Sequence, residues 1–294
     1  MQNLLRDKIL IVGSTGLVGS NLLNLFNKNN LIEIFRNKKP WMNSKNFYNI
    51  DIFSNPLEVM SFISEINSVI FLAFPVNLDA IENMSNDEIK KFKINFEKFI
   101  NILNQHSIPI LFLSTDAVLW GIEPSTRNDQ VEPLNPVNIY SYLKIECEKI
   151  LKNLASKNYV IIRATPVGFH AEEKYNGFLG QLLYHAEKQK IYGFVDNMIT
   201  PVSINRLNQW IYDWAVCRDK EIYYKKNVYH ISSYDSCSKY ELIFQIFKKY
   251  NLHENIIKHK MNLNTKAKRV LNQSIICSKE IKFSCEDIIS EINY

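Results

Sequence analysis

Only eight glycines occur in this chain, and three of them, Gly13, Gly16 and Gly19, stand directly behind a short apolar run at Ile9 to Val12. That placement constrains the fold more than any other feature. The residues that follow, Leu17, Val18, Leu22, Leu23, Leu25 and Phe26, have helical spacing, so the segment reads as strand, glycine-rich turn, helix. Glycines at these positions allow a tight turn, a close backbone approach to a ligand and close packing of helix on strand. Backbone N–H groups at the start of such a helix can hold a phosphate without a basic side chain. The pattern predicts a dinucleotide-binding turn built from Gly13, Thr15, Gly16, Leu17, Val18 and Gly19.

The alternation continues. Apolar runs at Leu31 to Phe35, Val69 to Phe74, Ile110 to Ser114 and Tyr159 to Arg163 are separated by helical patterns beginning near Pro56 and covering Asp87 to Gln105 and Asn138 to Ala155. Continuous hydrophobicity within the runs marks strands buried on both faces. The fold class expected is α/β, a Rossmann-type doubly wound parallel sheet with a smaller C-terminal substrate lobe. After Pro166 the regularity loosens, with helices expected at Phe178 to Gln189, Ile204 to Val216 and Lys239 to Tyr250 and short strands near Ile191 and Val228. Residues 1–165 are expected to form the dinucleotide-binding domain and 166–294 mainly the substrate lobe, with segments returning to the first domain.

Composition narrows the function classes. The net charge of +5 is small against 35 basic and 30 acidic residues scattered along the chain, which argues against nucleic acid as a partner. The longest apolar stretch, around Val69 to Val76, is far short of the roughly 20 residues that span a bilayer. Five cysteines in no CxxC pair, and no leader pattern, give a cytoplasmic protein without a disulfide framework or a membrane partner as the expectation. Six dispersed histidines form no recognisable ligand motif, so no metal is expected, and His170, His185 and His230 read as structural.

Cofactor choice is decided near the end of the second strand, where an acid would accept from a ribose hydroxyl. Arg36 stands there instead, followed by Lys38 and Lys39, and a guanidinium suits a 2'-phosphate. NADPH is therefore expected, with NADH the other candidate. Glu33 has the spacing of an acid but is placed inside the strand. Further on, Tyr140 and Lys144 stand four apart in a helical pattern and so share a face. A phenol beside an ammonium can act in proton transfer. Thr115, in Ser114-Thr115-Asp116 at the C-terminal end of a predicted strand, is placed to bond the same substrate oxygen.

These residues, together with Asn49-Ile-Asp51, Pro133-Leu-Asn-Pro-Val-Asn-Ile-Tyr140 and Ile162-Arg163-Ala-Thr165, resemble the extended short-chain dehydrogenases, and among them the nucleotide-sugar reductases of the dTDP-4-dehydrorhamnose reductase type. The resemblance implies that Thr115, Tyr140 and Lys144 are the catalytic triad and that Asp51, with Ile52, meets the adenine. It also implies that Ala73 lines the cofactor crevice and that Asn95 supports Lys144 through water. On the substrate side it implies Asp116, Trp120, Asp196 and Arg269, the last at the diphosphate. Departures fall in the sugar pocket: Ala117-Val-Leu-Trp120-Gly121, Ala73-Phe74-Pro-Val76 and Val202-Ser203 differ from the family pattern.

The implied reaction is NADPH-dependent reduction of a keto group on a nucleotide-linked sugar. Tyr140 gives the proton, Thr115 stabilises the oxygen, and Lys144 holds the nicotinamide ribose and lowers the tyrosine pKa. Two alternatives stand beside it. The same fold serves epimerases and dehydratases that retain NAD, and NADP-binding regulatory subunits without catalysis. A homodimer is compatible with the resemblance.

Overall fold

The computed structural model describes residues 7–42, 46–75, 77–119, 136–155, 158–263, 267–278 and 282–293. Six strands of the central sheet come from the first 164 residues: β1 (Lys8–Val12), β2 (Leu31–Phe35), β3 (Phe47–Asn49), β4 (Ile66–Phe71), β5 (Ile110–Leu113) and β6 (Tyr159–Ala164). Four short strands follow, β7 (Pro166–Val167), β8 (Ile191–Phe194), β9 (Met198–Ile199) and β10 (Val202–Ser203). Then β11 (Val228–Ile231) returns to the sheet beside β6, and β12 (Cys237–Ser238) and β13 (Ile256–His259) come last. The seven-stranded sheet has the order β11-β6-β5-β4-β1-β2-β3, and every neighbouring pair is parallel. The short strands pair outside it, β10 with β7, β12 with β9 and β13 with β8.

Strand alternation divides the core into two layers. On one face Ile9, Ile11, Leu31, Ile70, Leu111, Val160 and Ile162 pack with Val18 and Leu22 of α1 (Leu17–Leu22). On the other, Leu10, Val12, Ile32, Ile34, Val69, Phe71, Ile110 and Phe112 pack with residues of two long helices. The helices in order are α2 (Leu78–Ile81), α3 (Asn86–Gln105), α4 (Ile139–Leu154), α5 (Gly177–Ala186), α6 (Ile204–Val216), α7 (Glu221–Tyr224), α8 (Lys239–Lys248) and α9 (Cys285–Glu291). Phe92, Phe96, Phe99 and Leu103 of α3, with Leu143 and Leu151 of α4, fill the second layer, while α6 completes the first with Leu207, Ile211 and Trp214. A two-residue period with both sets buried is what a sheet covered on both faces requires.

Reciprocal capping boxes start α3 (Ser85 with Glu88), α4 (Asn138 with Ser141) and α8 (Ser238 with Glu241). At α1 no side chain caps the helix, because Gly16 is the N-cap. The helical pattern expected from Pro56 is instead two 3-10 turns, Pro56–Ser61 and Ile63–Glu65, and β3 lies in a stretch without a periodic signal. The strand expected to reach Phe74 ends at Phe71, since the amides of Leu72 and Ala73 both turn back to the Val12 carbonyl at 2.9 Å.

Two consequences position the site. Strand order reverses between β1 and β4, so their C-terminal ends open a crevice at the topological switch point. In addition, residues 267–278 run as a strap over the same end. Asn138 donates to the Lys268 carbonyl at 2.8 Å, Asn197 donates to the carbonyls of Val270 and Leu271, and Ser278 donates to the His230 carbonyl.

Candidate active site

The crevice is a cavity of about 460 Å³ walled by Gly13, Thr15, Gly16, Leu17, Val18 and Gly19, by Arg36, Asp51 and Ile52, and by Ala73 to Pro75. The three glycines do different things. Gly13 has φ +93°, and a Cβ there would lie 2.7 Å from the Ala73 amide nitrogen. At Gly19 a Cβ would lie 2.8 Å from the Ser14 Cα, so the turn could not close onto α1. Gly16 has room within the protein, its nearest neighbour being the Gly13 carbonyl at 3.5 Å. Its missing side chain therefore serves the open space of the crevice. That is the fit expected for a dinucleotide whose pyrophosphate lies against backbone amides.

His170 holds the turn in place. Its Nδ1 accepts from the amides of Glu172 and Glu173 at 3.1 Å, which puts the ring proton on Nε2, 3.3 Å from the Thr15 carbonyl. At the far end Asp51 accepts from the Phe53 amide at 3.0 Å and from the Ser54 hydroxyl at 3.3 Å, leaving acceptor capacity toward the cavity. Lys39 is ion-paired with Glu173 at 2.8 Å, whereas Arg36 is exposed at the rim and makes no ion pair among the described residues. Glu33 is buried on β2, as placed from sequence, and burial pushes its carboxyl up to about 7.

Thr115, Tyr140 and Lys144 are brought together where β5 ends against the start of α4. Thr115 donates to Asp116 Oδ1 at 2.8 Å and accepts from the Ala117 amide at 3.2 Å, and its hydroxyl lies close to that of Tyr140. Burial pushes the Tyr140 phenol up to about 12, the nearby Thr115 hydroxyl opposes this, and the charge of Asp116 adds to it. Lys144 is buried, and burial brings its ammonium down to about 7. It donates to the Leu113 carbonyl at 2.7 Å and lies 4.0 Å from the ring centre of Phe74 and 4.7 Å from that of Phe112. The trio is not in the cavity wall; it adjoins the wall through Leu113 and through Phe74, whose ring meets Tyr140 edge-on at 5.4 Å.

This corrects one expectation. Lys144 does not lower the Tyr140 pKa here, because its charge is turned onto a carbonyl and two aromatic faces. Asn95 donates its amide to the carbonyls of Phe53 at 2.7 Å and Ser54 at 3.2 Å, which ties α3 to the loop after Asp51. Behind the trio lies a buried network: Ser114 donates to Glu148 at 2.6 Å, and Arg163 pairs with Glu148 at 2.6 Å. Both charged side chains are 1% exposed or less. Arg163 also meets His230 at 3.4 Å, so β5, α4, β6 and β11 are locked at one point.

On the substrate side Trp120 lies outside the described residues. Asp196 accepts from the Met261 amide at 2.9 Å, a bond that ties the β8–β9 turn to the end of β13. Arg269 lines a separate cleft of about 230 Å³ with Tyr192, Phe194, His259 and Met261. Sequence reasoning did not assign Phe74 and Asn176 to the cavity wall, nor Lys239 and Gln273 near Asp116. Phe74 was visible as a departure; the others are far apart in sequence and join the site only through tertiary packing. Among the described residues no group of three or more His, Cys, Asp or Glu could hold a metal, and no helix is long and apolar enough to cross a membrane.

The family model of the RmlD substrate binding domain matches residues 7–286. The chain belongs to this family. Its fold is that of dTDP-4-dehydrorhamnose reductase from Bacillus anthracis strain Ames, solved in complex with NADP. The two align with a TM-score of 0.76 at 20% identity over 97% of this chain and 98% of that one. The enzyme of the same name from Yersinia enterocolitica aligns with a TM-score of 0.75 at 19% identity over 96% and 97%. A protein of Methanocaldococcus jannaschii, provisionally named a UDP-glucose 4-epimerase, is 26% identical over 172 residues, 54% of this chain and 55% of that protein. The chain thus spans about half the length of this relative.

Proposed function

We propose that this family member is a cytoplasmic oxidoreductase that reduces a keto group on a nucleotide-linked deoxysugar with NADPH, Tyr140 being the proton donor. The observation that carries the reading is the closeness of Thr115 to Tyr140 at the end of β5, adjoining a glycine-turn crevice through Leu113 and Phe74. When bound there, the nicotinamide supplies a hydride to the carbonyl carbon. The chain's own groups handle the oxygen. A phenol held near 12 keeps its proton throughout the neutral range, so Tyr140 is poised as an acid that protonates the oxygen as charge develops on it. Thr115 offers a hydrogen bond to the same oxygen, and water restores the tyrosine proton afterwards. Lys144, anchored on Leu113, is the residue this reading assigns to the nicotinamide ribose.

Arg36 at the rim, in place of an acid, favours the 2'-phosphate of NADPH. The second reading, an epimerase that retains NAD, is favoured by the partial match to the Methanocaldococcus jannaschii protein. Nucleotide extracted from the purified protein separates them, since an epimerase carries NAD through purification and a reductase releases it. Replacing Tyr140 with Phe tests the chemistry: the reductase reading expects kcat to fall by about 10²–10⁴-fold with NADPH affinity unchanged. Turnover kept within a few-fold would remove Tyr140 as proton donor.

A further inference from the structure

Phe74 follows β4 and stands in the crevice wall beside Ala73 and Pro75. The amides of Leu72 and Ala73 fold back on the Val12 carbonyl, so the backbone that leads to the ring is fixed. The side chain itself is half-buried. Its ring meets those of Phe92 and Tyr140 edge-on, each at 5.4 Å, and that of Phe53 at 6.0 Å. The Lys144 ammonium lies 4.0 Å from the ring centre. At that distance a cation is attracted by the negative face of the ring. One residue thus lines the crevice and lies against both Tyr140 and Lys144.

An ammonium carries three protons and accepts none. The Leu113 carbonyl takes one from Lys144 at 2.7 Å, and the rings of Phe74 and Phe112 cover the charge from 4.0 and 4.7 Å. The two rings differ in freedom. Phe112 is a fully buried residue of β5, packed against Phe71 and Phe96. Phe74 lies outside any helix or strand and borders open space. A half-exposed side chain can change rotamer without disturbing a close-packed interior, which a core ring cannot do. We propose that Phe74 is a positioning residue for Lys144: its ring covers the ammonium on the crevice side and turns aside when the nicotinamide half of a dinucleotide is held, freeing Lys144 to donate to a ribose hydroxyl. The inference rests on the dinucleotide reading above and adds a cost to it. Apparent affinity scales with the fraction of molecules whose ring is already turned aside.

Calorimetric titration of the full chain with NADPH and with adenosine 2',5'-bisphosphate, which lacks the nicotinamide half, tests this without turnover. Phe74→Leu removes the ring face and keeps much of the volume. It is expected to bind NADPH about 2- to 30-fold more tightly than wild type, the range of one cation–π contact. Its affinity for the bisphosphate should stay within about twofold, and Phe74→Tyr, which keeps a ring face, should bind NADPH as wild type does. In a Lys144→Met background the gain from Phe74→Leu should vanish, because no ammonium is left to cover. Should Phe74→Leu not fold, Phe74→Met takes its place. Weaker NADPH binding in Phe74→Leu would show that the ring is a contact surface for the nicotinamide half, and a gain that persists without the ammonium would show that it only fills space. Either result overturns the proposal, as does an equal gain for the bisphosphate. If wild type binds neither compound, the dinucleotide reading fails and takes the proposal with it; if wild type binds both and Phe74→Leu matches it, only the role of Phe74 fails.

Discussion

At the scale of single residues, the glycine turn separates fold from function. A Cβ at Gly13 or Gly19 meets backbone, whereas one at Gly16 meets ordinary contact distance and the crevice. Gly16→Ala should therefore keep the melting temperature within a few degrees while weakening dinucleotide binding. Gly13→Ala should lower both, because φ +93° is also strained for alanine. Thermal melts with and without NADPH check this, and a Gly16→Ala protein that binds NADPH normally would refute the assignment. Arg36→Ala should weaken NADPH by about 10- to 100-fold, as for a lost charge-assisted hydrogen bond, and leave NADH unchanged. The place of these residues in the crevice wall was legible from sequence because each stands in a segment that follows a strand end. The state of Tyr140 was not legible. Its pKa depends on burial and on Asp116, and the direction in which Lys144 points is set by Phe74 and Leu113, which no i,i+4 spacing reveals.

At the scale of elements, two buried carboxyl groups behave in opposite ways. Glu148 on α4 is held ionised by Arg163, although burial opposes it, and this pair fixes the helix that carries Tyr140 and Lys144. Glu148→Gln leaves Arg163 as a buried unpaired charge and should destabilise by about 3–5 kcal/mol, measured by denaturant unfolding. Glu33 on β2 has no strong partner, and one of its oxygens is unpaired. Its folded pKa of about 7 lies above the ordinary 4.5, so its contribution is fully present below pH 4.5 and is lost as pH rises through 7. Glu33→Gln should thus be more stable than wild type at pH 8, by on the order of 1–2 kcal/mol after allowance for solvent screening, and nearly equal at pH 4.5. A difference that does not vary with pH would contradict this. Most strands and long helices were readable from continuous or helical periodicity. β3 and the 3-10 turns after Pro56 were not, since three residues on a sheet edge and a tight turn leave no period to read.

At the scale of the whole molecule, the site is assembled from both ends of the chain. The first 154 residues supply most of the crevice wall and the Thr115, Tyr140 and Lys144 trio, and the strap at 267–278 crosses back to them through Asn138 and Lys268. Asn138 has two functions, capping α4 with its oxygen and holding the strap with its nitrogen. Asn138→Asp keeps the cap and loses the strap bond. It should raise KM for the sugar nucleotide by several-fold and leave KM for NADPH unchanged, whereas an equal rise in both would show that the strap belongs to neither substrate alone. This crossing could not be foreseen, because nothing in residues 267–278 has a periodic pattern and many of its hydrogen bonds use backbone groups. Residue type indicated the chemistry; the path of the strap decides which side chains surround it. The central claim is reduction of a nucleotide-linked ketone at Tyr140. It is tested most directly by incubating wild type and Tyr140→Phe with NADPH and a panel of 4-keto sugar nucleotides, following absorbance and identifying products by mass. The account predicts NADPH oxidation matched by a product two hydrogens heavier, with turnover in the variant reduced by about 10²-fold or more. NADPH bound tightly by wild type but never consumed across the panel would contradict it.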